Sequence, residues 1–364
     1  MIQNVFIIGA TGKVGRELVS QIVEKDLDNK KHINPTRIIG LASSSNFLFS
    51  EKGLSKENCL DFSERKRNFE KYGSLDELLE MVKSIKRDEG DSFVLIDVTA
   101  VKNIIDFHLK IIRETDFGIV TANKNPLALS DYKTFQELIK EPSRYGYRCS
   151  VMAGAGVIDY IQDLRDVTDH LELTEGCFSG TIGFILSELE NSVEFSEALK
   201  KAIGKGYTEP HPRDDLNGLD VAKKLLILAR TSGYNVNMKD IRLLPLIPEK
   251  YFNYDKINEF LDSVKELDNI FLEKIIKAKE SGNVLRYIAR ISFENNLPKL
   301  SISLREVPKN SPLGSLKGTL NKIHIVSGAG TYSVKAPGAG LKITAQNIRR
   351  DLLQQLKGRK LIEY

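Results

Sequence analysis

Three observations predict a chain of α/β class in two parts, a doubly wound parallel sheet and a separate α+β domain. The first is an apolar run, Gln3 to Ile8, that leads directly into Gly9-Ala10-Thr11-Gly12-Lys13-Val14-Gly15, with Val14, Leu18 and Ile22 then at helical spacing. The second is a set of further apolar runs, Arg37 to Ala42, Phe93 to Val98 and Gly118 to Thr121, the last two separated by an amphipathic helix marked by Ile104, Ile105, His108, Leu109 and Ile112. Strands that are apolar throughout and alternate with helices belong to a parallel sheet covered on both faces. The third is a change of pattern late in the chain. Val284 to Glu294 and Lys299 to Val307 alternate apolar and polar residues around Asn295-Asn296-Leu297-Pro298, as an antiparallel hairpin does.

The remaining elements follow in order. Residues 46 to 89 are polar and lysine-rich, with one helix expected from Ser74 to Lys83, and read as surface elaboration. From Tyr147 a strand, a helix near Ile158, a strand from Leu171 to Phe178 and a helix after Ser179-Gly180-Thr181 are expected. Gly338-Ala339-Gly340 precedes a last helix from Ala345 to Lys357 that returns to the first domain. The domains are therefore read as a Rossmann-like one over 1–147, completed by 337–364, and an α+β one over 148–336.

Composition narrows the function. The 53 basic and 49 acidic residues leave a formal charge of +4, too dilute to follow a phosphate backbone, so nucleic acid is not an expected partner. No apolar stretch is long enough to span a membrane. The start carries no export signal. Cys59, Cys149 and Cys177 are far apart without C-x-x-C spacing, and the five histidines, His32, His108, His170, His211 and His324, are scattered. A reducing cytoplasm is expected, without a catalytic transition metal.

The glycine turn lies where strand one meets helix one, the place at which backbone N–H groups and the helix dipole receive a pyrophosphate. Its spacing is G-x-x-G-x-x-G, with Thr11 where the commoner fingerprint has a second glycine. Gly9, Thr11, Gly12, Lys13, Val14 and Gly15 are thus candidate dinucleotide contacts. At the end of strand two Ser43, Ser44 and Ser45 replace the usual acidic residue, which leans towards NADP without excluding NAD. Thr121-Ala122-Asn123-Lys124 puts a lysine at the carboxyl end of a strand, where an ammonium group can polarise a carbonyl. Surface charge is the ordinary explanation of such a lysine.

A partner for it lies in the stretch from Gly206-Tyr207-Thr208-Glu209 through His211, Asp214, Asp215 and Asn217 to Gly218-Leu219-Asp220-Val221-Ala222-Lys223-Lys224. After Asn217, read as the N-cap, Val221, Leu225 and Leu228 form one apolar ridge and Ala222, Leu226 and Ala229 another, so the helix is expected to be mostly buried. Asp220 and Lys224 share one face of it. An exposed helical ion pair is the commoner meaning of such a pair. Here Glu209, Asp214 and Asp215 gather carboxylates beside the lysine, an arrangement that suits a zwitterionic substrate. His211, between two prolines, reads as a loop residue.

This stretch resembles the homoserine dehydrogenases, whose signature runs here from Ala202 through Gly206-Tyr207-Thr208, Pro212, Asp215-Leu216, Gly218 and Asp220 to Lys224. The similarity also covers Thr121-Ala122-Asn123-Lys124, Ser179-Gly180-Thr181, Val284-Leu285-Arg286 and Gly338-Ala339-Gly340. It implies reversible NAD(P)-dependent reduction of L-aspartate 4-semialdehyde to L-homoserine, on the way to threonine, methionine and isoleucine. By the same resemblance Lys224 is the proton donor, and Lys124 a second lysine at the reacting oxygen. Glu209 and Asp220 hold the substrate with Asp215 in support. Thr99, Ala100, Lys124, Gly180 and Gly340 line the cofactor crevice, and Gly180 and Thr181 join the substrate site. The carbonyls of Ala153, Ala155 and Val157 match a monovalent-cation site for sodium or potassium, although Ser150 stands in place of its glutamate. A homodimer through the second domain is implied. His211 and Ile158 depart from the family's residues at their positions. With the last helix close to Tyr364, neither an appended ACT-type domain nor a preceding aspartokinase is expected, nor threonine inhibition by that route. Rival readings are a dehydrogenase of another small amino-acid semialdehyde or hydroxy acid, and an NADP sensor without turnover.

Overall fold

The computed structural model describes residues 2–26, 36–86 and 91–356, so His32 and Lys357 lie outside the described residues. The chain divides into two compact units, Met1–Gly156 with Ala339–Tyr364, and Val157–Gly338.

The first unit runs β1 (Gln3–Ile8), α1 (Lys13–Gln21), β2 (Thr36–Ala42), β3 (Asn46–Phe49), α2 (Lys56–Glu64), β4 (Glu70–Lys71), α3 (Leu75–Lys83), β5 (Ser92–Asp97), α4 (Ile105–Glu114), β6 (Gly118–Thr121), α5 (Asn125–Ala128), α6 (Tyr132–Ile139) and β7 (Tyr145–Gly146). Its seven-stranded sheet has the order β4-β3-β2-β1-β5-β6-β7. β1 pairs in parallel with both β2 and β5, so the chain crosses from one side of β1 to the other and opens a crevice at the carboxyl ends of these strands. All six residues of β1 are buried, which is why its sequence does not alternate.

Residues 46 to 86, the described part of that segment, do more than decorate the surface. β3 extends the sheet antiparallel to β2 and β4 antiparallel to β3, and α2 places Cys59 and Phe62 in the core. With only Cys59, Phe62 and Ser63 buried, α2 has too narrow an apolar face to stand out in the sequence. No strand follows Tyr147 either. Two short 3₁₀ turns occupy 148–150 and 152–154, with Met152 and Ala153 at positive φ. This segment belongs to the first unit because Arg148 pairs with buried Asp351 at 2.8 Å and Asn347 Nδ2 donates to the Ala153 carbonyl at 2.7 Å. The division consequently falls after Gly156.

The second unit contains α7 (Val157–Asp166), β8 (Leu171–Cys177), α8 (Gly180–Glu190), α9 (Phe195–Gly204), α10 (Arg213–Leu216), α11 (Leu219–Thr231), β9 (Ile241–Leu243), α12 (Ile257–Ser263), α13 (Asp268–Glu280), β10 (Asn283–Glu294), β11 (Leu297–Pro308), β12 (Leu320–Ser327) and β13 (Gly330–Pro337). Its six strands lie in the order β13-β12-β8-β10-β11-β9. β10 and β11 form the expected hairpin, from Asn283 opposite Pro308 to Glu294 opposite Leu297. Asn295 and Asn296 turn it at φ of 51° and 62°, a backbone that asparagine tolerates better than most residues. The final helix, α14 (Leu341–Gln354), then adds Ala345, Ile348 and Leu352 to the core of the first unit. Among the described residues no helix is long and apolar enough to cross a membrane.

Candidate active site

The glycine turn of the first unit is shaped by what it lacks. Gly9 turns at φ +88°, and its N–H and that of Ala10 both reach the Ala42 carbonyl, tying the ends of β1 and β2 together. A Cβ on Gly15 would lie 2.2 Å from the Gly9 carbonyl oxygen, so only glycine lets α1 start this close to the strand. No side chain caps α1 at Gly12, which leaves first-turn N–H groups directed at an anion. The cradle therefore fits a pyrophosphate. Lys13 is exposed beside it, and Val14 packs back on the core.

The serines after β2 differ in exposure and contacts. Ser43 is buried, donating its hydroxyl to the Asn46 carbonyl and accepting the N–H of Asn46 at 3.0 Å, so it shapes the turn into β3. Ser44 and Ser45 are exposed. Arg65, which sequence reasoning missed, holds αL backbone at φ 59° after α2 and donates to Thr11 Oγ1 at 3.2 Å. A guanidinium thus stands at the glycine turn. Its signal was the basic run Arg65-Lys66-Arg67 inside a segment read as elaboration.

The loops after β5 and β6 carry Thr99, Ala100 and Lys124. They are cross-linked: Asn123 Nδ2 donates to Thr99 Oγ1 at 3.3 Å and to the Val101 carbonyl at 2.9 Å, and Asn125 Nδ2 to the Ala100 carbonyl at 3.1 Å. Lys124 is half-buried at the N-cap of α5. Gly340, at φ +146°, opens α14 in the same unit.

In the second unit α11 is buried along most of its circumference. Its N-cap is Gly218 at φ +78°, one residue after the expected Asn217, whose Oδ1 accepts the Leu219 N–H at 2.8 Å. Lys224 is only 8% exposed. Its Nζ lies 2.8 Å from Asp220 Oδ2 and donates to the Phe178 carbonyl at 2.7 Å. The Asp220 side chain is half in solvent. Phe178 leads through Ser179, which caps α8 at the Ile182 N–H, to Gly180 and Thr181. The Thr181 hydroxyl bridges the Tyr207 carbonyl and Asp215 Oδ1, and Asp215 Oδ2 accepts the Glu209 N–H at 2.8 Å. Gly180, Thr181, Glu209, Asp215, Asp220 and Lys224 are therefore joined by one connected set of contacts. Burial pushes the Asp215 carboxyl above its ordinary value, the Glu209 and Asp220 charges add to this, and the bonds from Glu209 and Thr181 oppose it. Glu209 itself is exposed. A buried ammonium paired with one carboxylate, with two more in the connected loop, can bind a zwitterion and protonate an oxygen.

Other predicted residues sit elsewhere. His211 packs its ring 5.3 Å from that of Phe260, as a loop residue does. Of the carbonyls expected at a cation, that of Ala153 already accepts from Asn347, while Val157 starts α7. Ser150 is buried with its hydroxyl unpartnered. Among the described residues no group of three or more His, Cys, Asp or Glu could hold a metal. A cavity of about 760 Å³ over β9 and β11 shares no lining residue with the lysine site.

Comparison with known proteins identifies the family. Residues 157–353 match the family model described as homoserine dehydrogenase. A bifunctional aspartokinase/homoserine dehydrogenase of Buchnera aphidicola is 34% identical over 364 residues, which is 97% of this chain and 43% of the relative. The chain thus spans less than half the length of such relatives. A solved structure of a Candida auris protein of unknown function is 28% identical with a TM-score of 0.85, over 97% of this chain and 98% of that one. A hyperthermophilic archaeal homoserine dehydrogenase in complex with NADPH shares the fold at 20% identity and TM-score 0.72, over 99% and 100% of the two chains.

Proposed function

Because the chain belongs to the homoserine dehydrogenase family, we propose that it interconverts L-aspartate 4-semialdehyde and L-homoserine with NADP or NAD. The single observation that carries this reading is the buried Lys224 ammonium, set between the Asp220 carboxylate and the Phe178 carbonyl. Gly9, Gly12, Lys13 and Gly15 would hold the pyrophosphate of the dinucleotide, with Thr99, Ala100, Lys124 and Gly340 towards its nicotinamide. When bound, that cofactor supplies hydride to the aldehyde carbon or takes it back. The remaining work belongs to the chain. As the carbonyl carbon is reduced, negative charge grows on its oxygen, and Lys224 stabilises that charge and donates the proton that completes the alcohol. Asp220, half in solvent, links Nζ to bulk water for reprotonation. Glu209 and Asp220 take the substrate ammonium group, and Asp215 holds the Glu209 backbone in place.

NADP is favoured over NAD by the guanidinium of Arg65 at Thr11 and the lack of an acidic residue after β2. The test follows reduced-nicotinamide absorbance with homoserine and each coenzyme, with and without potassium or sodium. Activity on homoserine, greater with NADP, is expected. Absence of any absorbance change would end the enzymatic reading, and preference for another hydroxy acid would redirect it. A homodimer in the cytoplasm completes the proposal; a monomeric mass by light scattering would contradict the dimer.

A further inference from the structure

Beneath the loops that carry Thr99, Ala100 and Lys124 lies a charge that the proposed chemistry leaves unused. Asp97 ends β5 and is 0% exposed. Its Oδ1 accepts the Thr99 N–H at 2.9 Å, and its Oδ2 lies 3.3 Å from His108 Nε2 and 3.4 Å from Thr121 Oγ1. The Thr121 hydroxyl in turn accepts the Asn123 N–H at 3.0 Å. His108, on α4, is equally buried, and its Nδ1 lies 2.8 Å from the Tyr145 hydroxyl on β7, the edge strand of the sheet. A hydroxyl both donates and accepts, so Tyr145 satisfies Nδ1 in either tautomer. Burial pushes the Asp97 carboxyl up, but the His108 ring 3.3 Å away, together with the Thr99 hydrogen bonds, outweighs it and holds the group below the ordinary carboxylate range.

Stability alone does not call for this arrangement, because well-packed apolar residues commonly replace a buried ion pair at no loss. What apolar residues cannot supply is direction. The Asp97 carboxylate fixes an amide of the loop after β5, the Thr121 hydroxyl that starts the loop after β6 lies 3.2 Å from the Asp97 carbonyl and 3.4 Å from the carboxylate, and Asn123 then joins the two loops. We propose that Asp97 and His108 are positioning residues, which set the Thr99–Val101 and Thr121–Lys124 loops in the orientation that receives the nicotinamide end of the dinucleotide, with Tyr145 as outer anchor. The inference rests on the dinucleotide binding proposed above.

NADPH binding, read from its fluorescence, and homoserine kinetics are measured on the unaltered chain, His108→Leu, His108→Gln and Thr121→Val. His108→Leu and Thr121→Val should raise the NADPH Kd about tenfold, since small displacements of contact groups cost that much or more, with the KM for homoserine within about twofold. His108→Gln, whose side-chain N–H can reach Asp97, should recover most of the affinity. Variants that melt earlier yet bind NADPH as the unaltered chain does would overturn the proposal. So would a His108→Gln no better than His108→Leu. Should His108→Leu fail to fold, a raised or unchanged Kd in Thr121→Val decides for or against. An unaltered chain that does not bind NADPH removes the functional reading and this inference together, whereas binding that all variants preserve overturns the inference alone.

Discussion

The glycine turn and the lysine helix solve opposite problems. In the first unit the anion site is made of backbone, and side chains are kept out: a single Cβ at Gly15 would meet the Gly9 carbonyl, Ala10 Cα and Ala10 carbonyl carbon at 2.2 to 2.9 Å. In the second unit the site is made of side chains with fixed partners, Lys224 on Asp220 and Phe178, and Asp215 on Thr181 and Glu209. A backbone site tolerates no addition, while a side-chain site tolerates no removal. Disturbing the two should therefore produce different failures.

The largest effect is expected from removal. Lys224→Ala should lower turnover by about 10²–10⁴, the usual share of a general acid, while the Kd for NADP stays within about twofold; steady-state rates and binding titrations check this, and unchanged turnover would refute the role. Addition comes next. Gly15→Ala should weaken NADP binding and destabilise the first unit by about 1–3 kcal/mol, because backbone atoms rather than a pliant side chain must move. Thermal unfolding measures it, and a chain that melts and binds normally would show that α1 can be displaced freely.

Smaller again is selectivity. If Arg65 binds the coenzyme phosphate as proposed, Arg65→Glu would remove a charge-assisted bond of about 1.5–3 kcal/mol, so the NADP over NAD preference should fall roughly tenfold or more. Equal kcat/KM ratios before and after would remove Arg65 from the coenzyme site. The least effect concerns acid. Since the folded state holds Asp97 below its ordinary value of 3.8, its stabilisation is complete above that pH and is lost as pH falls through the lower folded value. Asp97→Asn should flatten this acid limb of an unfolding curve, and an unchanged limb would show that the carboxylate does not contribute.

The same contrast explains what could be read from the sequence. The glycine turn, α11 and the β10–β11 hairpin are local, so glycine spacing, apolar ridges and alternation announce them. Glu209, Asp215, Asp220 and Lys224 lie within one short stretch, and the helical period alone brings the last two together. Contacts set by tertiary packing left weaker traces. His108 fell on the apolar stripe of α4 and was legible as interior, but its partners Asp97 and Tyr145 come from two different strands. Ser43 looked free to face a ribose until the turn into β3 claimed its hydroxyl. Arg65 could not be aimed at Thr11 before α2 was known to end in a left-handed residue.

The first unit is assembled from two segments that flank the second, with Ala345, Ile348 and Leu352 of α14 packed among Val5, Ile7 and Leu18. During synthesis on the ribosome that core must stay unfinished until α14 has emerged, by which time the intervening unit, Val157–Gly338, is already complete as a segment. Vectorial folding of these two units therefore runs inside out, and the first unit closes only after the second has been made.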